Sequence, residues 1–194
     1  IVVYLNEIVL KLTNIDLTAI NPMKTWPRWA ILLTGFVIRD FVQWWVHRLL
    51  HRVEFLWRFH RLHHSVEQMG FAAHLRYHWM ENVFYTPMKY IVVMLFFGFK
   101  PTSAFIVYYL SIAIGHLNHA NIKLTYGPLK YIFNNPVMHL WHHSYALPDD
   151  RKKGVNFGIS LSIWDYIFGT SYIPEDSGTI KLGFPGMEKF PKDF

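Results

Sequence analysis

The chain has 194 residues, 52% of them hydrophobic, 18% aromatic and only 16% charged, with eight tryptophans and a net charge of +6. That balance points to one membrane domain with interfacial aromatics and a basic cytoplasmic side, so no nucleic-acid partner is expected. It contains no cysteine, which excludes disulfides, thiolate zinc sites and Cys-bound iron–sulfur clusters.

In chain order, residues 1–20 mix apolar positions with Glu7, Lys11 and Asp16. They read either as the end of a transmembrane helix or as an amphipathic helix on the membrane surface. The start at Ile1 rather than methionine leaves room for an upstream piece. Asn21-Pro22 and Trp26-Pro27 mark a loop, with Trp26 and Trp29 as interfacial anchors. Residues 28–46 predict a membrane helix interrupted by Arg39 and Asp40, and ionisable groups at that depth are functional candidates. Asp40, Trp44, His47 and His51 share one helical face. Asp40 is therefore placed either to accept an imidazole N–H or to pair with Arg39 or a neighbouring arginine.

This helix leads into the stretch with most of the chemistry. Residues 40–64 hold His47 and His51, then His60, His63 and His64, and the second spacing returns at His139, His142 and His143. Residues three and four apart lie on one helical face, so each group aims its imidazoles together. Every one of the 12 histidines has another within four positions. Neutral imidazole is the commonest metal ligand and suits iron, zinc, copper and nickel, so the clusters predict a metal site just outside the bilayer.

Arg52, Arg58, Arg61 and Arg76 surround these groups and fit a cytoplasmic flank. Gly70 is expected to end the helix bearing the second group, and His74, His78 and Glu81 to share a face of the next, with Glu81 as partner to a ligand. Residues 82–99 and 102–119 predict a transmembrane hairpin turning at Gly98-Phe99-Lys100-Pro101. It returns His116, Asn118 and His119 to the metal side. Beyond it, Asn135-Pro136 predicts a helix start, LPDDRKKG a solvated loop, NFGISLSIWDYIFGTSYIP a packed irregular segment or short helix, and the Gly/Pro-rich tail an extended cap. The expected architecture is one all-α domain over 1–194: an integral-membrane helical bundle with N-terminal membrane helices (1–46), the first histidine groups (47–81), the hairpin (82–119), and the last group with a cytosolic cap (120–194).

His47-Arg48-Leu49-Leu50-His51, His60-Arg61-Leu62-His63-His64 eight residues later, and His139-Leu140-Trp141-His142-His143 after a long apolar insert resemble a known signature. It is the histidine-box pattern of integral-membrane di-iron oxygenases, nearest the fatty acid hydroxylase / sterol desaturase superfamily. The flanks agree: Asp40 and Trp44 before the first box, Leu75-Arg76-Tyr77-His78, His119-Ala120-Asn121, Asn156-Phe157-Gly158, and Trp164 to Thr170. The likeness covers about residues 40–170.

The resemblance implies two iron ions, with zinc able to substitute in a preparation, activating O2 at the cytoplasmic mouth of a lipid-binding cavity. It implies the eight box histidines as ligands, joined by His78 and His119, with His116 filling a further position of the hydroxylase branch. His74 stands where a small residue is usual, and joins Asp40 and Glu81 as a candidate partner of the ligands. The implied reaction is hydroxylation of a C–H bond in a fatty acyl, sterol-like or other lipid, with desaturation or carotenoid hydroxylation as alternatives and a metal-retaining structural subunit as a reading of another class. The expected location is integral to the membrane, with the metal on the cytoplasmic face. A separate electron donor (ferredoxin, b-type cytochrome or reductase) is implied, for which Arg48, Arg58, Arg151, Lys152 and Lys153 offer a basic surface. A zinc hydrolase would need a glutamate placed as in HExxH, which is absent. A metal transporter would carry its ligands at mid-membrane.

Overall fold

The computed structural model describes residues 2–16, 19, 22–97, 101–174 and 180–190. They are all-helical, with no strand among them beyond two isolated antiparallel bridges, Phe133–Leu161 and Ser144–Leu182. Helix α1 (Val2–Thr13) ends at Asn14, whose left-handed φ of 57° suits an asparagine closing a helix.

Helix α2 (Arg28–Arg52) starts after Pro27 and runs 25 residues, or about 37 Å. It therefore continues past the expected 28–46 and carries Asp40, Trp44, His47 and His51 together. α2 is the hub, packing against α3 (Glu54–His60), α4 (Trp79–Phe97) and α5 (Pro101–Asn118), while α6 (Pro136–His142) rests on α5. A short α7 (Ile163–Ile167) follows. Asn135 caps α6 by accepting the Met138 N–H at 3.0 Å, and Pro136 takes the first helical position, as Asn135-Pro136 predicts.

Two local expectations are corrected. The helix bearing the second histidine group stops at His60, not near Gly70, and His63 and His64 lie in the turn after it. There the chain tightens to three-residue bonds, Leu62 N–H to Phe59 O and His63 N–H to His60 O, which swings successive rings to different sides. His74, His78 and Glu81 do not share one helix. His74 lies in a 3₁₀ turn (Phe71–Leu75), Arg76 is extended (φ −81°, ψ 91°), and Glu81 opens α4.

The hairpin appears as α4 and α5, with residues 98–100 of its turn outside the described residues. Pro87 sits inside α4 without ending it. No helix among the described residues is long and apolar enough to cross a membrane. The spans expected at 28–46, 82–99 and 102–119 are thus helices, but their inward faces are polar: Arg39, Asp40 and Gln43 on α2, Lys89 on α4, and Ser103 and Ser111 on α5 are buried. The tail is described at 180–190, where Tyr145 and Gly183 donate backbone bonds to Lys181 and His143.

The apolar core is divided. Val107 packs with Ile31, Leu32, Phe36 and Ile38 between α2 and α5, and Val66, Met69, Ala73 and Leu182 form a second group. Between them the interior is filled by imidazoles and by aromatics around Trp44, which is wholly buried and stacks on Phe168 with centroids 4.6 Å apart.

Candidate metal centre

Two groups of ligand-grade nitrogens meet in that interior. His47, His51, His60, His64 and His142 form one, and His63, His119, His139 and His143 the other, with the ligand atoms of each group within 4.8 Å of one another. Four separate pieces of chain supply them: α2, the end of α3 and its following turn, the end of α5, and α6. The groups abut, since the His64 and His143 rings stack at 4.2 Å. All eight box histidines and His119 are therefore brought together.

His78 and His116 are not brought in. His78 packs against Phe59, its Nδ1 accepting the Met80 N–H at 3.2 Å. His116 stacks face to face on Phe71 at 3.8 Å. His74 lies between, edge-on to His116 and stacked on His119 at 4.7 Å. It fits because Gly115 faces it, where any Cβ would overlap the His74 ring.

The second nitrogen of each ring decides what the first can do. His47 Nδ1 lies 2.7 Å from Phe157 O, His142 Nδ1 2.7 Å from Val155 O, His63 Nδ1 3.0 Å from Arg76 O and His119 Nδ1 2.7 Å from Gly115 O. A carbonyl only accepts, so each Nδ1 carries the proton and each Nε2 keeps a bare lone pair. His60 Nδ1 is held likewise by the Glu81 carboxylate at 2.9 Å.

Those lone pairs face one another. His119 Nε2 is 3.2 Å from His63 Nε2 and 2.9 Å from His139 Nε2, while His47 Nε2 is 3.1 Å from His60 Nε2. Ligands at right angles around an ion about 2.1 Å away would be about 3 Å apart. The Nε2 atoms of His51, His64, His142 and His143 are buried without a hydrogen-bond partner, a costly state in a dry interior unless a cation sits among them. The nine side chains thus fit a pair of metal ions. Burial, before any mutual repulsion, holds His63 down to about 4 and His142 to about 3, and pushes His47, His51, His64, His139 and His143 well below the ordinary imidazole value. These rings stay neutral, as ligation requires.

Asp40 does not touch an imidazole. Its oxygens accept the Ser160 and Leu161 N–H groups at 3.2 Å each and the Trp164 indole N–H at 3.1 Å, tying α2 to the 160–164 segment. Sequence reasoning missed the matching role of Asp165. That carboxylate, wholly buried, accepts from Phe157 N–H, Gly158 N–H, Trp44 Nε1–H and the Thr170 hydroxyl at 2.6–2.9 Å. It thereby sets the loop whose Phe157 carbonyl holds His47. Asn156, at φ 51°, donates to Met138 O and Tyr172 O and accepts from Tyr172 N–H, fixing the same loop. The only sequence sign of either was their place in the flanks Asn156-Phe157-Gly158 and Trp164–Thr170.

The geometry meets its relatives here. Residues 32–170 match the fatty acid hydroxylase family. The chain is 34% identical over 161 residues to ornithine lipid hydroxylase OlsE of Rhizobium tropici, covering 83% of this chain and 47% of that protein. It is 31% identical over 155 residues to alkylglycerol monooxygenase of Xenopus tropicalis, covering 76% and 31%. To very-long-chain aldehyde decarbonylase GL1-10 of Oryza sativa subsp. japonica it is 28% identical over 148 residues, covering 73% and 46%. The chain thus spans less than half the length of these relatives, and no solved structure matches it. With the family match covering most of its length, the chain belongs to the fatty acid hydroxylase family.

Proposed function

We propose that this chain is the metal-bearing part of a membrane-associated di-iron oxygenase that hydroxylates a C–H bond of a lipid. The observation that carries the reading is the set of bare, facing imidazole lone pairs in two adjoining groups, which only cations can reconcile. The lipid assignment draws on the relatives, which are named as a lipid hydroxylase and an alkylglycerol monooxygenase. Iron bound by the nine histidines would supply, with O2, the oxidant that an unactivated C–H bond demands.

The protein's own part is positional. His47, His63, His119 and His142 are locked in one tautomer by backbone carbonyls and His60 by Glu81, so the ligand field is set before a metal arrives. Burial of the rings keeps bulk water from most of the ligand nitrogens. Phe105, Ile106, Tyr109 and Leu110 are exposed along one side of α5, with Leu33 and Trp29 exposed on α2, giving the domain an apolar surface suited to a lipid phase. A separate redox protein would deliver electrons. The basic surface expected to receive it is partly neutralised, because Arg58, Arg151 and Lys152 lie within 4 Å of Glu54, Asp150 and Asp149.

Metal analysis of anaerobically purified protein, with its Mössbauer spectrum, tests this directly. About two irons per chain with a coupled di-iron signature is the expected result, and a single zinc would overturn it. Glu81→Ala leaves the His60 Nδ1–H without its acceptor and should weaken metal retention about ten- to a hundredfold in a chelator competition. Glu81→Gln, which still accepts that bond but lacks the charge, should fall between. Retention unchanged in Glu81→Ala would remove Glu81 from the site.

A further inference from the structure

Below the histidines a cavity of about 200 Å³ opens between α2, α4 and α5. Two stripes at helical spacing form its opposite walls: His47, Gln43 and Arg39 on α2, and Glu81, Tyr85 and Lys89 on α4. Its far end therefore holds two basic side chains. Arg39 is 5% and Lys89 9% exposed. Among the described residues Arg39 Nε and Nη1 are buried without a hydrogen-bond partner, and Lys89 Nζ lies 4.0 Å from the centre of the Tyr85 ring.

Among the described residues neither basic group has a carboxylate within ion-pair reach. Asp40, next to Arg39 in the chain, has its oxygens engaged by Ser160, Leu161 and Trp164. Glu81 lines the same cavity with Oε2 on His60 Nδ1 and Oε1 without a hydrogen-bond partner, and it too lies beyond ion-pair reach of either basic group among the described residues. Two basic groups left without a carboxylate partner in a buried space are costly to charge, and an anion placed between them removes that cost.

We propose that Arg39 and Lys89 bind the acidic group, carboxylate or phosphate, of an amphiphilic substrate whose reacting carbon lies beneath the histidines. The oxygenase reading supplies the reaction, while the anion site stands on its own residues. The cavity is smaller than the roughly 300 Å³ at the low end of small-molecule sites, so it suits a head group and the first part of a chain. Arg39 and His47 are eight residues apart on α2, about 12 Å along its axis. Oxidation should therefore fall within about 12 Å of the acidic group rather than at the far end of a longer tail.

The test is calorimetric titration of the iron-loaded protein in detergent with decanoate, decyl phosphate, decanol and inorganic phosphate. Both amphiphilic anions should bind at least about tenfold more tightly than decanol, since hydrogen bonds to a charged group carry that much. Lys89→Met and Arg39→Met should each weaken anion binding about ten- to a hundredfold and leave decanol unchanged. Lys89→Arg should keep most of the affinity. If Arg39→Met fails to fold, Lys89→Met carries the test, with Lys89→Arg as its folded control. Equal binding of decanol and decanoate, or variants that bind anions as the parent does, would overturn the proposal. Inorganic phosphate binding as tightly as decyl phosphate would overturn the amphiphile, marking a free-anion site instead. Anion binding by a parent protein that takes up no iron supports the cavity, and it is the failure to take up iron that sinks the oxygenase reading. An iron-loaded, lipid-hydroxylating enzyme indifferent to both variants sinks the cavity alone.

Discussion

Replacing Asp165 with alanine is expected to destabilise the protein by about 3–5 kcal/mol, the range for removing one side of a buried polar network. Four donors converge on that carboxylate, from Trp44, Thr170, Phe157 and Gly158, in a place water does not reach. Each orphaned donor costs about 1–3 kcal/mol, and because they share one acceptor their costs do not simply add. Asp165→Asn separates charge from shape. Its amide oxygen can take the place of Oδ1 and keep three of the bonds, but its NH2 then faces the Gly158 N–H, two donors in opposition. A loss of about 1–2 kcal/mol is expected for that variant. Urea unfolding of both variants, with metal content measured alongside, checks the ranking. Metal should be lost as well as stability, since the same loop presents the Phe157 carbonyl to His47. An alanine variant within about 1 kcal/mol of the parent would show that the network does not hold the loop.

Acidification should unfold the metal-free protein between about pH 6 and 4. The buried histidines have folded-state values below the ordinary 6.5, with His63 near 4 and His142 near 3. Below pH 6.5 the unfolded chain therefore binds protons that the folded chain refuses, so stability rises with pH and is lost as pH falls. The loss continues until the folded-state values are reached. For His63 alone the difference amounts to roughly 3 kcal/mol, and for His142 somewhat more. With total stabilities of about 5–15 kcal/mol, a few such rings are enough to unfold the domain. Bound metal should move the transition to lower pH, because protons must then displace it as well. Tryptophan fluorescence melts from pH 7.5 to 4, with and without metal, give the answer. A melting temperature flat to pH 5 in the metal-free protein would contradict the burial of neutral imidazoles.

Much of the centre was readable from spacing. The i, i+4 pair His47/His51 and the i, i+3 pair His139/His142 lie on shared helical faces as their spacing predicts, and Asn135-Pro136 marks the start of α6. The hairpin's return accounts for His119, which completes the second group. Other parts are hidden because helical spacing does not persist there. His63 and His64 lie in a tight turn, and the extended Arg76 separates His74 from Glu81, so neither set follows a 3.6-residue period. Apolar composition also concealed how polar the inward faces of α2, α4 and α5 are. Asp40 stands out in the sequence as an ionisable residue in an apolar helix, yet its partners are two backbone amides and an indole about 120 positions away, which no local pattern reveals. Asp165 escaped for the same reason.

Those long reaches bear on how the chain matures. His47 is seated by a carbonyl 110 positions later, and Trp44 by a carboxylate 121 positions later. A nascent chain that has emerged only as far as His143 carries all nine converging histidines, but lacks the 155–170 segment that orients His47 and His142. Contacts so distant in sequence are slow to form, and the chain is synthesised from the N-terminus at about 5–20 residues per second. Insertion of metal is thereby tied to the emergence and docking of the 155–170 segment. A fully loaded centre reports that the 155–170 segment has docked, and a chain stalled or misassembled before it stays empty despite holding all nine imidazoles.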